Sequence, residues 1–379
     1  SRYRLIGKLP ENFPGFFNER IRMNAFRNVW RTADEKSAGW TGLDDPLDTD
    51  FPYASYALGQ YLLFCLRVDR KSVAPSLLRL RVMEADRSKL AETGQKKLYR
   101  EQREAIREAV RLELLGRSLP VPSFFEVCWS VPDHRLIFCS LSDKVFEELQ
   151  ELFRDSFQLT LCPDLPWDPE RPGADPSRPD GGTGAPGGLP PHALPPSSPA
   201  QGGGSRFESL LPPATDPLAI GREFLTWLWF KSEERDGRIR LPDGAECEVF
   251  FIRRLVLESG DGEYAETVVC QGLHADLKEG KEALRQGKKI SAARLRLTHD
   301  AADWEFTFKA DRFQFQSMKL PSLPEADGEE IDRDGQLLER IALIEKAAGT
   351  MEMLFQSFME RRLAGDWEGE LSRMQRWIL

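Results

Sequence analysis

The sequence predicts an α+β protein of two lobes, each mixing sheet and helix, with a long helical arm on the first. Three observations predict it. A chain of 379 residues has enough material for two separate cores. Strand-like apolar runs and helix-period stretches occur in both halves. Between the halves, residues 164–205 hold 11 Pro and 9 Gly in 42 positions, with almost nothing to bury. Such a composition cannot offset the entropy of ordering, so it reads as a disordered linker. The expected lobes are residues 1–163 and 206–379, with the arm at 75–117.

In the first lobe a short strand leads into Phe13–Arg31, a mixture of aromatic and basic residues that reads as a helix. Gly39, Gly42, Pro46 and Pro52 break any periodicity in SAGWTGLDDPLDTDFPYA, so turns are expected there. Leu58–Val68 (LGQYLLFCLRV) has the length and composition of a buried strand. The arm follows in two pieces, because Thr93-Gly94 interrupts its pattern. Phe124–Val131 and Arg135–Ser140 read as strands joined through Pro132-Asp133-His134. Ser142 is placed to cap a helix over Lys144–Asp155, and Gln158–Cys162 closes the lobe as a strand.

The second lobe opens with an apolar helix, Pro217–Lys231. Ala245–Glu258 reads as a strand that turns through Ser259-Gly260-Asp261-Gly262 into Glu263–Gln271. A short helix, Asp276–Gln286, stops at Gly287, which suits the left-handed position after a helix end. Lys288–Leu297 and Trp304–Lys309 alternate as half-buried strands, and Arg312–Leu320 continues them. A final helix from Asp334 to Ala364 carries Leu337, Leu338, Ile341, Ile344, Ala348, Met351, Leu354, Phe355 and Phe358 on one face, as core or dimer seam.

Near the end of the arm, Lys96, Arg100, Arg103, Arg107 and Arg111 recur at spacings of 4, 3, 4 and 4, which puts them on one side of a helix. Glu101, Glu104 and Glu108 flank the stripe; Leu98, Ala105, Ile106, Ala109 and Leu112 cover the opposite side, where packing is expected. A cationic row with the helical repeat can track a phosphate backbone. The plainer alternative is a solvated face of Glu/Arg pairs. Net charge is −9, yet Arg67 to Arg117 holds 14 Lys/Arg against 8 Asp/Glu, a local +6, so the remainder carries −15. That asymmetry favours an anionic partner along one surface. Lys288 and Lys289, between a helix end and a strand, are further candidate phosphate contacts or complements to the helix dipole.

Six cysteines without close spacing suggest reduced, buried thiols in a cytoplasmic protein. No run approaches the ~18–20 apolar residues of a membrane span. Nucleotide-binding and acyl-transfer motifs are absent, and His134, His192, His274 and His299 are scattered without metal spacing. One fragment invites a catalytic reading: Asp243, Glu246 and Glu248 could hold Mg²⁺ for phosphodiester hydrolysis, although a turn entering an edge strand also explains them.

Taken in order, a set of stretches resembles the RdgC family of bacterial recombination-associated proteins. These are Tyr3-Arg4-Leu5, Gly39-Trp40, GQYLLFCLRVDRKSVAPSLL, KKLYREQREAIREAVRLELLGRSL, the hairpin with FEVCWS and RLIFCS, DLKEGKEALRQGKKISAARLRL, FQSMKL and the terminal helix. Order and spacing carry the resemblance, with no single diagnostic motif. It implies a ring-forming α+β homodimer, without catalysis or cofactor. Such a dimer encircles duplex DNA without sequence preference and restrains a RecA-type recombinase by occupying DNA. A cytoplasmic, nucleoid-associated location follows from that. The resemblance places Lys96 and Arg117 facing DNA and Leu119 at the contact that closes the ring. Lys96, Arg100, Arg103, Arg107, Arg111 and Arg117 would then line the hole, with Lys288 and Lys289 as lesser contacts. It departs at Gly272-Leu273-His274, where family members carry lysines before Asp276-Leu277.

Overall fold

The computed structural model describes residues 1–29, 32, 34–168, 171, 217–259, 266–272, 278–322 and 333–379. Among them the chain is mixed α+β, with two antiparallel sheets and eight helices. Two compact units result, Arg2–Cys162 and a second comprising Pro163–Leu379 with Ser1.

The first unit runs β1 (Arg2–Ile6), α1 (Phe13–Met23), β2 (Lys36–Gly42), β3 (Ala57–Leu58), β4 (Tyr61–Arg70), α2 (Pro75–Thr93), α3 (Arg100–Arg117), β5 (Val121–Ser130), β6 (Arg135–Phe138), α4 (Asp143–Phe157) and β7 (Thr160–Pro163). Its sheet has the order β2-β4-β5-β6-β1-β7, with β3 beside β4. Alternation puts Trp40, Phe64, Leu66, Val127, Trp129, Leu136 and Phe138 into one core with Phe17 and Ile21 of α1 and Leu149, Phe153 and Phe157 of α4. Phe17 stacks on Phe157 at 4.8 Å, and the Trp40 indole donates to Ser156 Oγ at 2.8 Å, so a buried polar group has its partner.

Two expectations fail here for the same reason. Ser37–Gly42, expected as turns, lies in the strand β2, paired with β4 from Lys36↔Arg70 to Gly42↔Phe64. Gly39 serves a close approach: a Cβ on it would lie 2.4 Å from Phe26 Cα. The helix expected to reach Arg31 ends at Met23, where the Asn24 side chain donates to Arg20 O at 2.9 Å. Ala25 then pairs with Trp40. Trp30 and Arg31 lie outside the described residues.

The second unit runs α5 (Pro217–Glu234), β8 (Arg238–Arg240), β9 (Glu246–Glu258), β10 (Thr267–Gln271), α6 (Lys278–Arg285), β11 (Lys289–His299), β12 (Ala302–Lys309), β13 (Gln314–Lys319), α7 (Arg333–Leu363) and α8 (Trp367–Ile378). The sheet order is β10-β9-β11-β12-β13, with β8 beside β9. Val249, Phe251, Leu295, Leu297, Phe306 and Phe308 pack with Phe224 and Leu228 of α5 and Met351, Phe355 and Phe358 of α7. Residues 365–379, which sequence reasoning left unassigned, form α8 and insert Met374 and Ile378 into that core. Glu370 anchors α8 from the inside, accepting from Lys231 Nζ at 2.6 Å, from Trp227 Nε1 at 3.0 Å, and from Arg373.

The expected linker is not unstructured from its first residue. Leu165 and Trp167 pack on the second core, and Arg171 is held between Glu352 at 2.6 Å and Asp164 at 3.4 Å. Its Pro and Gly content masked these anchors. Residues 172–205 lie outside the described residues, as do the turn at 260–262 and Leu273-His274.

Candidate nucleic-acid interface

The arm is a hairpin of two packed helices. Pro75 stands in the first turn of α2, where its missing N–H costs nothing. Gly94 adopts φ 66° after the last turn, and its N–H donates to Leu90 O at 3.0 Å, a left-handed stop that glycine makes without strain. At the start of α3 the Tyr99 N–H donates to the Gln102 side chain at 2.9 Å. Half-buried Leu78, Val82, Ala85 and Leu90 mark the inner side of α2; Ile106, Val110 and Leu114 mark that of α3. Leu98 is buried as expected, but Ala105, Ala109 and Leu112 are exposed. A neighbouring helix covers a narrower stripe than a sheet would, and the row Ile106, Val110, Leu114, spaced four apart, fills it.

Opposite that stripe the cations separate into two groups. Arg100 pairs with Glu104 at 3.0 Å, Arg117 with Glu113 at 2.9 Å, and Arg111 with Glu108 at 3.4 Å and with Glu35. Lys96, Arg103 and Arg107 are exposed and form no ion pair among the described residues. Lys96 precedes α3, so the helical part of the stripe begins at Arg100. All three, with Lys97 and Arg100, border an open cleft of about 880 Å³ between α2 and α3. The amino end of α3 opens into it and adds its positive dipole. Sequence reasoning missed Lys97, whose signal was simply its place beside Lys96.

The other candidates are differently placed. Lys288 is buried, and its Nζ bonds Glu266 at 2.7 Å, holding that carboxyl below its usual range. Lys289 is half-buried beside a small cavity bordered by Glu223 and Trp367. Lys288 is therefore engaged within its own unit rather than presented as the expected phosphate contact. Leu119 is 76% exposed, with Val121 at 65% and Phe124 at 43% close by. β4 pairs with β5 along its whole length, whereas β6 pairs only with Val127–Ser130. Among the described residues, the second edge of 121–125 is thus unpaired, an open template for another chain.

Two of the three carboxylates of the catalytic reading serve the fold. Asp243 Oδ1 accepts from the Ala245 N–H at 2.9 Å, shaping the turn, and Glu248 pairs with Arg238 at 3.4 Å. Among the described residues no three His, Cys, Asp or Glu side chains are placed to hold a metal ion. His299 lies near Asp300 and 2.9 Å from Thr350 Oγ1, which superficially resembles a nucleophile set. Thr350 is 1% exposed, however, and its hydroxyl donates to Lys346 O one turn back in α7. His192 and His274 lie outside the described residues. All six cysteines are free, and burial pushes Cys65 and Cys247 up to about 12, far from a reactive thiolate. No described helix is long and apolar enough to cross a membrane.

Comparison with known proteins agrees with this picture of the first unit. The family model described as "Putative exonuclease, RdgC" matches residues 3–172, which takes in the arm, the open strand edge and nearly all of the first sheet. A comparison with curated proteins gives no match. Over residues 3–172, which take in its first unit, the chain is similar to the RdgC family.

Proposed function

We propose that this protein binds double-stranded DNA without sequence preference. It acts as a homodimer that encircles DNA, and it restrains a RecA-type recombinase by occupying the recombinase's substrate. One observation carries the reading: Lys96, Arg103 and Arg107 are exposed and unpaired on a basic arm of an otherwise acidic chain. Long cationic side chains neutralise phosphates and release counterions, which gives affinity but reads no base edge. The apolar residues at the unpaired start of β5, Leu119 among them, supply the contact between protomers. A location on the nucleoid in the cytoplasm follows from the activity.

The family description favours a second reading, phosphodiester hydrolysis. Its candidates are Asp243, Glu246 and Glu248, with Asp243 and Glu248 engaged as described. Incubating supercoiled plasmid with Mg²⁺ or Mn²⁺ separates the two, since the binder leaves it uncut.

Fluorescence anisotropy with two unrelated duplexes, from about 50 to 200 mM salt, tests the main reading. Equal affinities that fall by ~10³ are expected if six or more phosphates are neutralised. Absence of binding at low salt, or a strong preference for one sequence, refutes it.

A further inference from the structure

The segment between β2 and β3 holds two large apolar side chains out in water. Tyr53 is fully exposed, and Leu47 is 77% exposed. Single exposed apolar side chains are common on folded proteins, so exposure alone decides nothing. Here the backbone is tied down around them. Asp48 Oδ1 accepts from the Asp50 and Phe51 N–H groups at 3.0 and 2.9 Å, and its Oδ2 accepts from the Ser55 hydroxyl at 3.2 Å. Phe51 is buried, and Arg22 donates to its carbonyl at 3.1 Å. Phe51, Tyr53 and Ala54 take φ of 48°, 53° and 54°, a left-handed conformation that bulky residues rarely adopt. Backbone held against its preference beside an exposed ring marks a binding segment, since little ordering is left to lose on docking.

The charges around these side chains indicate the partner's chemistry. From Gly42 to Leu66 the sequence has four Asp and no Glu, Lys or Arg. Such a rim repels nucleic acid and suits a cationic protein surface. The arm presents one. Its cleft of about 880 Å³ has Val82, Leu98 and Tyr99 in its walls. Around them Arg100 pairs with Glu104, while Lys96, Lys97, Arg103 and Arg107 outnumber Asp86. An apolar centre with a cationic rim complements an apolar pair with an acidic rim. No residue of 43–55 borders the cleft of its own copy, and its bonds hold the segment where it is.

We propose that segment 43–55 docks in the α2–α3 cleft of a second copy of this chain. Tyr53 and Leu47 meet the apolar walls, and the aspartates meet the cations. The contact is head-to-tail, because it joins two different surfaces. It occupies the cations assigned above to DNA, so segment and duplex exclude one another. That competition rests on the DNA-binding reading; the contact between copies does not.

Light scattering on the full chain, over a range of concentrations at about 50 and 200 mM salt, tests it. Wild-type mass is expected to rise with concentration at the lower salt and less at the higher, where screening is stronger. Leu47→Ser with Tyr53→Ser should shift that rise to at least about tenfold higher concentration, the scale of losing an aromatic anchor. Both side chains lie in water, so the fold is not at stake. Arg103→Glu with Arg107→Glu should do the same. An equal mixture of the two double variants should regain association, because one supplies the cleft and the other the segment. Added duplex should disperse the wild-type assembly. A wild-type mass that does not change with concentration overturns the proposal. So do an unshifted rise in the Leu47/Tyr53 variant, a mixture that associates no better than its components, and duplex that binds without dispersing the assembly. Failure of the parent reading looks different: duplex stays unbound at low salt while association still depends on Leu47 and Tyr53, and the contact between copies stands.

Discussion

Replacing Arg103 and Arg107 by alanine removes two exposed guanidinium groups that have no carboxylate partner among the described residues. Each phosphate contact contributes about 0.9 to the slope of log K against log salt. Two lost contacts should therefore flatten the slope by ~1.8. Relative to a 1 M reference, the affinity loss is ~60-fold at 0.1 M salt and only ~20-fold at 0.2 M, so the two curves converge as salt rises. Glutamates at both positions should abolish binding while leaving the dimer intact, because both side chains are exposed. Glu104→Gln is the reciprocal change: it frees Arg100 from its 3.0 Å pair and should steepen the slope by up to ~0.9. Anisotropy titrations at four salt concentrations measure all three effects, with circular dichroism and light scattering as controls for fold and mass. An unchanged slope in the double alanine variant would remove the arm from the interface.

Other perturbations test the framework. Gly39→Ala forces a methyl against the Phe26 backbone and should cost ~2–3 kcal/mol through overpacking; an unchanged urea midpoint for the first unit would refute the close approach. Deleting 365–379 removes Met374, Ile378 and the Glu370 anchor, and should destabilise the second unit by several kcal/mol in thermal melting, at roughly 1.5–3 kcal/mol per large buried side chain. Burial pushes the Glu370 carboxyl up, but its bonds from Lys231 and Trp227 and the nearby Arg373 hold it below the usual range. Its contribution is therefore present above the unfolded value of about 4.3 and is lost as pH falls through the lower folded value. Glu370→Gln should flatten that acid limb, and a variant whose stability still falls as steeply below pH ~4.3 would show that Glu370 is not its source.

Local pattern was legible where one element decides it. Gly94 stops α2, the continuous apolar run of LLFCLRV gives β4, and Gly287 at φ 87° ends α6. It failed where a second element imposes the conformation. Gly39 and Gly42 signal turns in isolation, and only the neighbouring chain at Phe26 shows why a strand needs a residue without Cβ there. The arginine spacing marked a cationic side of α3, but pairing is a tertiary property. Arg111 meets Glu35 from 76 residues away, and Lys288 meets Glu266 from 22 away, which no spacing rule anticipates. α8 was overlooked because the break after Leu363 hides an amphipathic turn pattern whose buried side faces α5 and α6.

The arm and the open strand edge are consecutive: α3 ends at Arg117, Leu119 follows, and β5 begins at Val121. Association at that edge would therefore place two basic arms in one assembly. In the counterion picture log K grows in proportion to the number of neutralised phosphates, so doubling the cations squares the electrostatic factor instead of doubling it. The −15 carried by the rest of the chain works the other way, repelling DNA from surfaces away from the arm. Affinity then depends steeply on protomer concentration, and a Leu119→Asp variant that remains monomeric should show about half the wild-type salt slope. A monomer retaining the full slope would mean that one arm binds all the phosphates, and that the exposed edge of β5 has some other purpose.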